Sequence, residues 1–187
     1  MMIDPVLTTA AQAGTAIVVL LGAVAKWRRP AAFRTALAQY HLLPDALVAP
    51  AAFSITAAET IGAGALLFPD TRMVGAIVLT ALLIAFACGL AINIARGHTD
   101  IDCGCSFSAA LNASRRDTPQ GIGWWHVARA LLLAALAATA LIDPALRAIV
   151  WFDYLTLFFA VLLIVCALLT LDVLLANVPR LTHLRNS

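Results

Sequence analysis

The sequence predicts an all-α fold, a polytopic transmembrane bundle of about five spans with a four-helix core and a short interfacial helix after the first span. Of its 187 residues, 63% are hydrophobic and 12% are charged, whereas soluble domains are about half apolar and one quarter charged. The apolar residues fall into about five continuous runs of roughly 20 residues, the length that crosses a hydrocarbon core. The continuity of the runs argues against a β-barrel, and no basic face with interleaved aromatics indicates nucleic-acid binding. One integral membrane domain is expected over residues 1–187.

The first span is expected at about residues 6–25. A cleaved signal peptide carries its positive charge before the apolar run. Here Asp4 comes before the run, and Lys26, Arg28 and Arg29 come after it. This order indicates a retained helix whose C-terminal end is anchored by cations.

A less apolar segment, Ala31–Leu43, follows Pro30. It carries Phe33, Leu37 and Tyr40 at helical spacing, which predicts a short helix lying on the membrane surface. Pro44 is expected to end it, because proline lacks the backbone donor that a continuing helix needs.

The remaining spans are separated by turn signals, of which the clearest is Pro69–Arg72. Pro179 is expected to end the last helix. The four spans are expected at about residues 46–68, 73–95, 124–142 and 150–176.

The loop at about residues 96–123 carries the most specific signal, because it places Cys103 and Cys105 on either side of Gly104. A disulfide across one residue cannot easily reach the preferred geometry, so it would be strained and labile. Such a bond suits thiol–disulfide exchange better than structural stapling. Asp102 would oppose thiolate formation, whereas Arg129 folding towards the loop would favour it.

Two other interpretations of the loop remain open. The cysteines could be incidental thiols, or they could bind a metal with His98 and His126. Structural zinc sites more often separate paired cysteines by two to four residues. The cysteines within spans, Cys88 and Cys166, are interpreted as buried apolar thiols. As an alternative, Cys88 is a candidate relay beneath the loop.

Charged residues within spans are costly and usually face the bundle interior. We therefore expect Glu59 and Arg129 to form a structural or functional ion pair. Asn93 lies close to a helix end and is expected to reach headgroup water. At the start of the fourth span, Trp124 and Trp125 are candidate interfacial anchors or contacts for a membrane quinone, and His126 is a third candidate for that contact.

Sidedness is unresolved by the sequence, since two rules disagree. With five spans, the cysteine loop lies on the side that holds nine of the twelve basic residues, against two on the other side and Arg129 within a span. The positive-inside rule places that side in the cytoplasm. Disulfides, however, usually face the oxidising compartment. The nine are Lys26, Arg28, Arg29, Arg34, Arg96, Arg115, Arg116, Arg180 and Arg185, and the two are Arg72 and Arg147.

Several motifs occur in an order that resembles the MauE family of methylamine utilisation proteins, within the wider DoxX-like membrane families. The resemblance covers essentially the whole chain, and its most specific part is the Cys-Gly-Cys loop. Ser106 separates the second cysteine from Phe107, whereas many MauE-like loops continue directly with phenylalanine. The motifs are Lys26-Trp27-Arg28, Leu43-Pro44, Glu59, Asp102-Cys103-Gly104-Cys105 and Trp124-Trp125-His126-Val127-Ala128-Arg129.

The resemblance implies a multi-pass protein of the bacterial cytoplasmic membrane that helps to mature the small (β) subunit of methylamine dehydrogenase. That subunit is periplasmic, and a thioredoxin-like protein, MauD, is the expected partner. The arrangement is also similar to vitamin K epoxide reductase-like thiol oxidoreductases, which pass electrons to a membrane quinone. Their Cys-x-x-Cys signature is absent here, which puts the quinone step in doubt.

The leading hypothesis is a membrane thiol–disulfide exchange protein in which Cys103 and Cys105 cycle between disulfide and dithiol. Asp102, Gly104, Arg129, Glu59 and His126 are its candidate supporting residues. The alternatives are a non-catalytic membrane scaffold or transport helper for subunit maturation, and a metal-binding loop.

Overall fold

The computed structural model describes residues 4–99, 101, 121–142 and 150–185, with side chains placed as far as residue 171 and at Leu174. Within these ranges the chain forms six α-helices and no β-strand, which confirms the all-α prediction. Five of the helices are long and apolar enough to cross a membrane, and one of these is extended by a 3-10 turn at Thr139–Leu141. The helices are α1 (Pro5–Arg28), α2 (Pro30–Gln39), α3 (Asp45–Leu66), α4 (Arg72–Ala95), α5 (Trp124–Ala138) and α6 (Trp151–Arg185).

The two ends of α1 follow local chemistry. Asp4 caps the helix, since its side chain accepts a hydrogen bond of 2.8 Å from the backbone N–H of Val6. At the other end the helix continues through Lys26 to Arg28, because cations are favourable in the last turn. Pro30 then occupies the first position of α2, where its missing N–H costs nothing.

The last helix differs from its prediction. The backbone of α6 is helical to Arg185, so the expectation that Pro179 would end it is wrong. A proline removes one intrahelical hydrogen bond, and membrane helices often tolerate that loss without ending. The short helix after α1 also ends earlier than predicted, at Gln39, and His41 then adopts a positive φ of 50°.

Four helices form the core, as predicted. They pack as a closed ring in which α1 contacts α3, α3 contacts α4, α4 contacts α5, and α5 returns to α1. Helix α6 lies outside the ring against α1, and its transmembrane stretch is largely exposed. Small side chains in the core let these helices approach closely. One core cluster draws on all four ring helices and the 3-10 turn, and it contains Ala16, Val19, Ala63, Leu66, Ala76, Leu79, Ala137 and Ala140.

Glycines allow the closest helix contacts. A Cβ atom built on Gly75 would lie 2.5 Å from the backbone nitrogen of Leu66 and 2.7 Å from the carbonyl oxygen of Gly62. No larger residue fits there without separating α3 from α4. Between α1 and α6, a Cβ on Gly14 would lie 2.6 Å from Cγ2 of Ile164.

The end of α1 meets α3 well beyond the first turns of α3. Trp27 in the last turn of α1 packs edge-on against Phe53, with ring centroids 5.4 Å apart, and donates a 3.0 Å hydrogen bond to Thr60. These partners lie in the middle and later turns of α3, which begins at Asp45. Helix α2 then packs against α3. The two long helices are therefore offset along their axes.

Candidate functional site

The segment that carries the candidate exchange site lies outside the described residues, and this applies to Asp102, Cys103, Gly104 and Cys105. The structure does describe the residues on either side of that segment, which are called its base below. The chain enters from the end of α4 at Thr99 and Ile101, and it returns through Gly121 and Ile122 to the start of α5.

The two sides of this base are joined directly. The backbone N–H of Ile122 donates to the carbonyl of Thr99 at 2.7 Å. Gly121 has a φ of +54°, a conformation that favours glycine, and a Cβ there would lie 3.2 Å from the Thr99 oxygen. Ile101 and Ile122 are buried in a cluster with Tyr40, Ala87, Leu90, Val127 and Ala130. The base is thus closed and packed onto the bundle.

His126 caps the start of α5. The backbone N–H of Gly123 donates to its Nδ1 at 3.2 Å, and its own backbone N–H donates to the Gly123 carbonyl at 2.9 Å. The candidate supporting residue therefore fixes the direction in which the chain leaves the loop and enters the bundle.

Arg129 is buried, with 7% of its surface exposed, in the second turn of α5. It lies at the end of α5 that receives the cysteine segment. Five residues of helix correspond to about 7.5 Å below Trp124. A guanidinium at this depth puts a fixed positive charge inside the bundle beneath the loop.

Asn93 is fully buried, so the expectation that it would reach headgroup water is wrong. Its Nδ2 donates to the carbonyl of Gly89 at 3.0 Å, and the N–H of His98 donates to its backbone carbonyl at 3.0 Å. The turn after α4 is therefore hydrogen-bonded back to the helix end at this residue.

Glu59 is paired with Lys26 and not with Arg129, so the expected Glu59–Arg129 pair is wrong. The Lys26 Nζ lies 2.5 Å from the Glu59 Oε1, and their side chains are 7% and 12% exposed. The ammonium also lies 4.8 Å from the centre of the Phe33 ring on α2. One buried cation thus joins the end of α1, the start of α2 and the middle of α3.

Lys26 is the site residue that sequence reasoning missed, because it was interpreted as an interfacial anchor. A usable signal existed: Glu59 needs a partner in a low-dielectric bundle. Lys26 lies in the last turn of the neighbouring, antiparallel α1, four residues before Pro30.

The two tryptophans at the start of α5 face outwards, with 62% of Trp124 and 68% of Trp125 exposed. Their positions suit interfacial anchoring. Contact of these residues with a membrane quinone stays a prediction.

The prediction of buried span cysteines is wrong, because Cys88 and Cys166 are both exposed on the outer surface of the bundle. On α4, Ile84, Cys88 and Ile92 form one outward stripe. A relay through Cys88 would have to run along that outer face.

No group of three His, Cys, Asp or Glu side chains that could hold a metal occurs among the residues the structure describes. The two histidines of the metal hypothesis are placed, and the two cysteines are not. The ring of His98 lies 6.3 Å from that of His41, across the loop-side end of the bundle.

Comparison with known proteins gives one consistent result. Residues 4–143 match the family model described as methylamine utilisation protein MauE. A methylamine utilization protein MauE from Methylophilus methylotrophus is 39% identical over 135 residues, which are 72% of this chain and 67% of that protein. The corresponding protein from Paracoccus denitrificans is 32% identical over 136 residues, 73% of this chain and 69% of its own length. No solved structure matches.

Proposed function

Because the chain belongs to the MauE family of methylamine utilisation proteins, we propose that it is a membrane thiol–disulfide exchange protein. Its partner is a thioredoxin-like protein of the MauD kind, and the process it serves is maturation of the small (β) subunit of methylamine dehydrogenase. The exchanging pair is Cys103 and Cys105.

The closed base of the cysteine segment carries this proposal. Thr99 and Ile122 are held by a 2.7 Å hydrogen bond, and Ile101 and Ile122 are buried against the bundle. A reactive pair works best when its supporting residues are rigid. The base anchors both ends of the segment at one point on the loop-side end of the bundle.

The charge beneath the base gives further support. Exchange proceeds through a thiolate, which a nearby cation favours. Arg129 is buried in the turn of α5 just below the base, and His126 fixes the entry to that helix.

The proposed exchange is balanced and reversible. A thiolate of the partner attacks one sulfur of the Cys103–Cys105 disulfide, forms a mixed disulfide and releases the other cysteine as a thiolate, which takes up a proton. The second partner thiol then displaces the attacked cysteine. Two electrons and two protons pass from the partner dithiol to the loop, and the reverse sequence returns them.

Serine substitutions test this proposal in cells that make the full chain, the partner and the dehydrogenase subunits. We expect Cys103→Ser or Cys105→Ser to abolish accumulation of the disulfide-bonded small subunit. Either variant should also trap a mixed disulfide with the partner through the remaining cysteine. Cys88→Ser and Cys166→Ser are matched controls, since they make the same chemical change on the outward faces of α4 and α6.

Normal maturation in a chain that lacks both loop cysteines would overturn the exchange mechanism. It would favour the scaffold or transport-helper hypothesis instead. Loss of a stoichiometric metal with either loop cysteine would favour a metal-binding loop.

A further inference from the structure

We propose that the first turn of α2 lines a water-filled vestibule, which enters the membrane from the loop side and ends beside the Lys26–Glu59 ion pair. The vestibule gives water on that side access to an ion pair that lies within the membrane. The proposal is independent of the exchange mechanism, because it rests on residues outside the cysteine segment and its base.

The break between α1 and α2 lies well below the loop-side end of α3. Glu59, which pairs with Lys26, comes 14 residues after Asp45, where α3 begins, and this corresponds to about 21 Å of helix. Even Phe53, the contact of α1 nearest to that end, is about 12 Å from it. The first turn of α2 reaches the same region, because the Phe33 ring lies 4.8 Å from the Lys26 ammonium.

Helix α4 indicates that this depth is within the hydrocarbon. Residues 73–95 contain no charged side chain, and they span about 35 Å, only slightly more than the roughly 30 Å of a hydrocarbon core. The loop-side membrane surface therefore lies near the end of α4 at Ala95. The Tyr40 ring, just after α2, packs on Phe86, nine residues before Ala95, so the far end of α2 also lies below that surface.

Charged side chains occur at this depth without facing the bundle interior. Arg28, Arg29 and Arg34 are exposed around the break, whereas Phe33 and Ala36 form the buried face of α2. Charged side chains within spans usually face the interior or a water-filled cavity. Here the interior is closed to the three arginines, which leaves a water-filled cavity. The amphipathic helix thus borders water, as an interfacial helix does, in a depression of the membrane surface.

Glu59 marks the inner end of the vestibule. Lys26 binds one of its oxygens, and the other, Oε2, is buried without a hydrogen-bond partner in the part of the chain that the structure describes. Leaving a buried carboxylate oxygen unpaired is costly, and water entering at the break supplies the missing donor. The non-helical backbone of Arg29 agrees with this, since such backbone is tolerated within a membrane where it is buried in protein or lines water.

Labelling of single cysteines in the full chain tests the vestibule. The four native cysteines are replaced by serine, and Ala31→Cys or Ala32→Cys is added in the exposed first turn of α2. Unlike an arginine, a cysteine here cannot extend to the membrane surface, so its reaction reports water at the helix itself. In nanodiscs, a sulfonated maleimide that does not enter hydrocarbon should label both chains at a rate close to that of Arg96→Cys, at the loop-side end of α4.

The matched control is a chain that keeps Cys88 alone. This thiol is exposed on the outer face of α4, about 11 Å before its loop-side end, so it lies at a similar depth but faces lipid. We expect it to react at least about 100-fold more slowly, because a charged reagent enters hydrocarbon only at high cost. Labelling after denaturation gives the total thiol of each chain. Thr35→Cys, also exposed on α2, replaces an alanine variant that does not keep the Tm of the cysteine-free chain.

Two results would overturn the proposal. If the cysteines on α2 react as slowly as Cys88, the first turn of α2 lies in hydrocarbon and no vestibule reaches it. If Cys88 reacts as fast as they do, the membrane surface lies at the level of α2 and the ends of α3 and α4 project beyond it.

Discussion

Lys26 at the end of α1 and Glu59 in α3 form a buried ion pair with 2.5 Å between Nζ and Oε1. The pair links two helices of the ring at the point where α1 breaks into α2. In an apolar bundle the charged groups are costly to bury, and each depends on the other to offset that cost.

Removing one partner should therefore be strongly destabilising. We expect Lys26→Met to lower the free energy of unfolding by about 3 kcal/mol, because the Glu59 carboxylate is left buried without its cation. Arg28→Met is the control: Arg28 is exposed, and its loss should change stability by less than about 0.5 kcal/mol. Unfolding of the full chain in detergent gives both values.

Exchanging the two residues of this ion pair distinguishes the contribution of charge pairing to stability from that of packing. A chain with Lys26→Glu and Glu59→Lys should be more stable than the sum of the two single substitutions predicts. Additive losses would mean that the two side chains do not stabilise each other.

The contact between α3 and α4 yields a second prediction. Gly75→Ala should lower the free energy of unfolding by about 2 kcal/mol. The new Cβ would lie 2.5 Å from the backbone nitrogen of Leu66, and moving the backbone of α3 away from it is costly. Gly64→Ala introduces the same methyl group on α3, where nothing lies within 4 Å, and it should be neutral or mildly stabilising. Equal Tm values for the two variants would contradict this packing.

The hydrogen bond that closes the base of the cysteine segment gives a third prediction. Gly121→Ala should lower the free energy of unfolding by about 1 kcal/mol, because a φ of +54° is unfavourable for alanine and the new Cβ would lie 3.2 Å from the carbonyl oxygen of Thr99. Hydrogen exchange at the Ile122 amide should become faster, since that amide donates to Thr99. Gly123→Ala is the control, with an extended backbone and open space around the new methyl group. Unchanged exchange in Gly121→Ala would argue against a closed base.

The spans could be predicted from the sequence because crossing a bilayer fixes a length and a composition. The predicted boundaries agree with the observed helices within a few residues, apart from the extension of α6 through Pro179.

The pairing of Glu59 could not be predicted in the same way. It depends on how far α1 is offset along α3, and that offset is set by the break at Pro30 and by the packing of Trp27 against Phe53. The spacing of residues in the sequence fixes their positions along one helix, but it does not fix how far two helices are shifted relative to each other along their axes.

The orientation of α4 was within reach of the sequence. Leu83, Ala87 and Leu90 form its buried stripe, and Cys88 lies on the opposite face. A helical phase taken from these residues would have turned the thiol outwards.

The most direct test of the exchange account is the redox state of Cys103 and Cys105 in growing cells. A full chain with Cys88→Ser and Cys166→Ser leaves these two as the only cysteines. After an acid quench, a maleimide reagent of high mass should leave part of the protein unlabelled. Reduction should convert that part to the doubly labelled form, and the fraction should change when the thioredoxin-like partner is deleted. Complete labelling of both thiols before reduction, under every oxidising condition tried, would contradict the account.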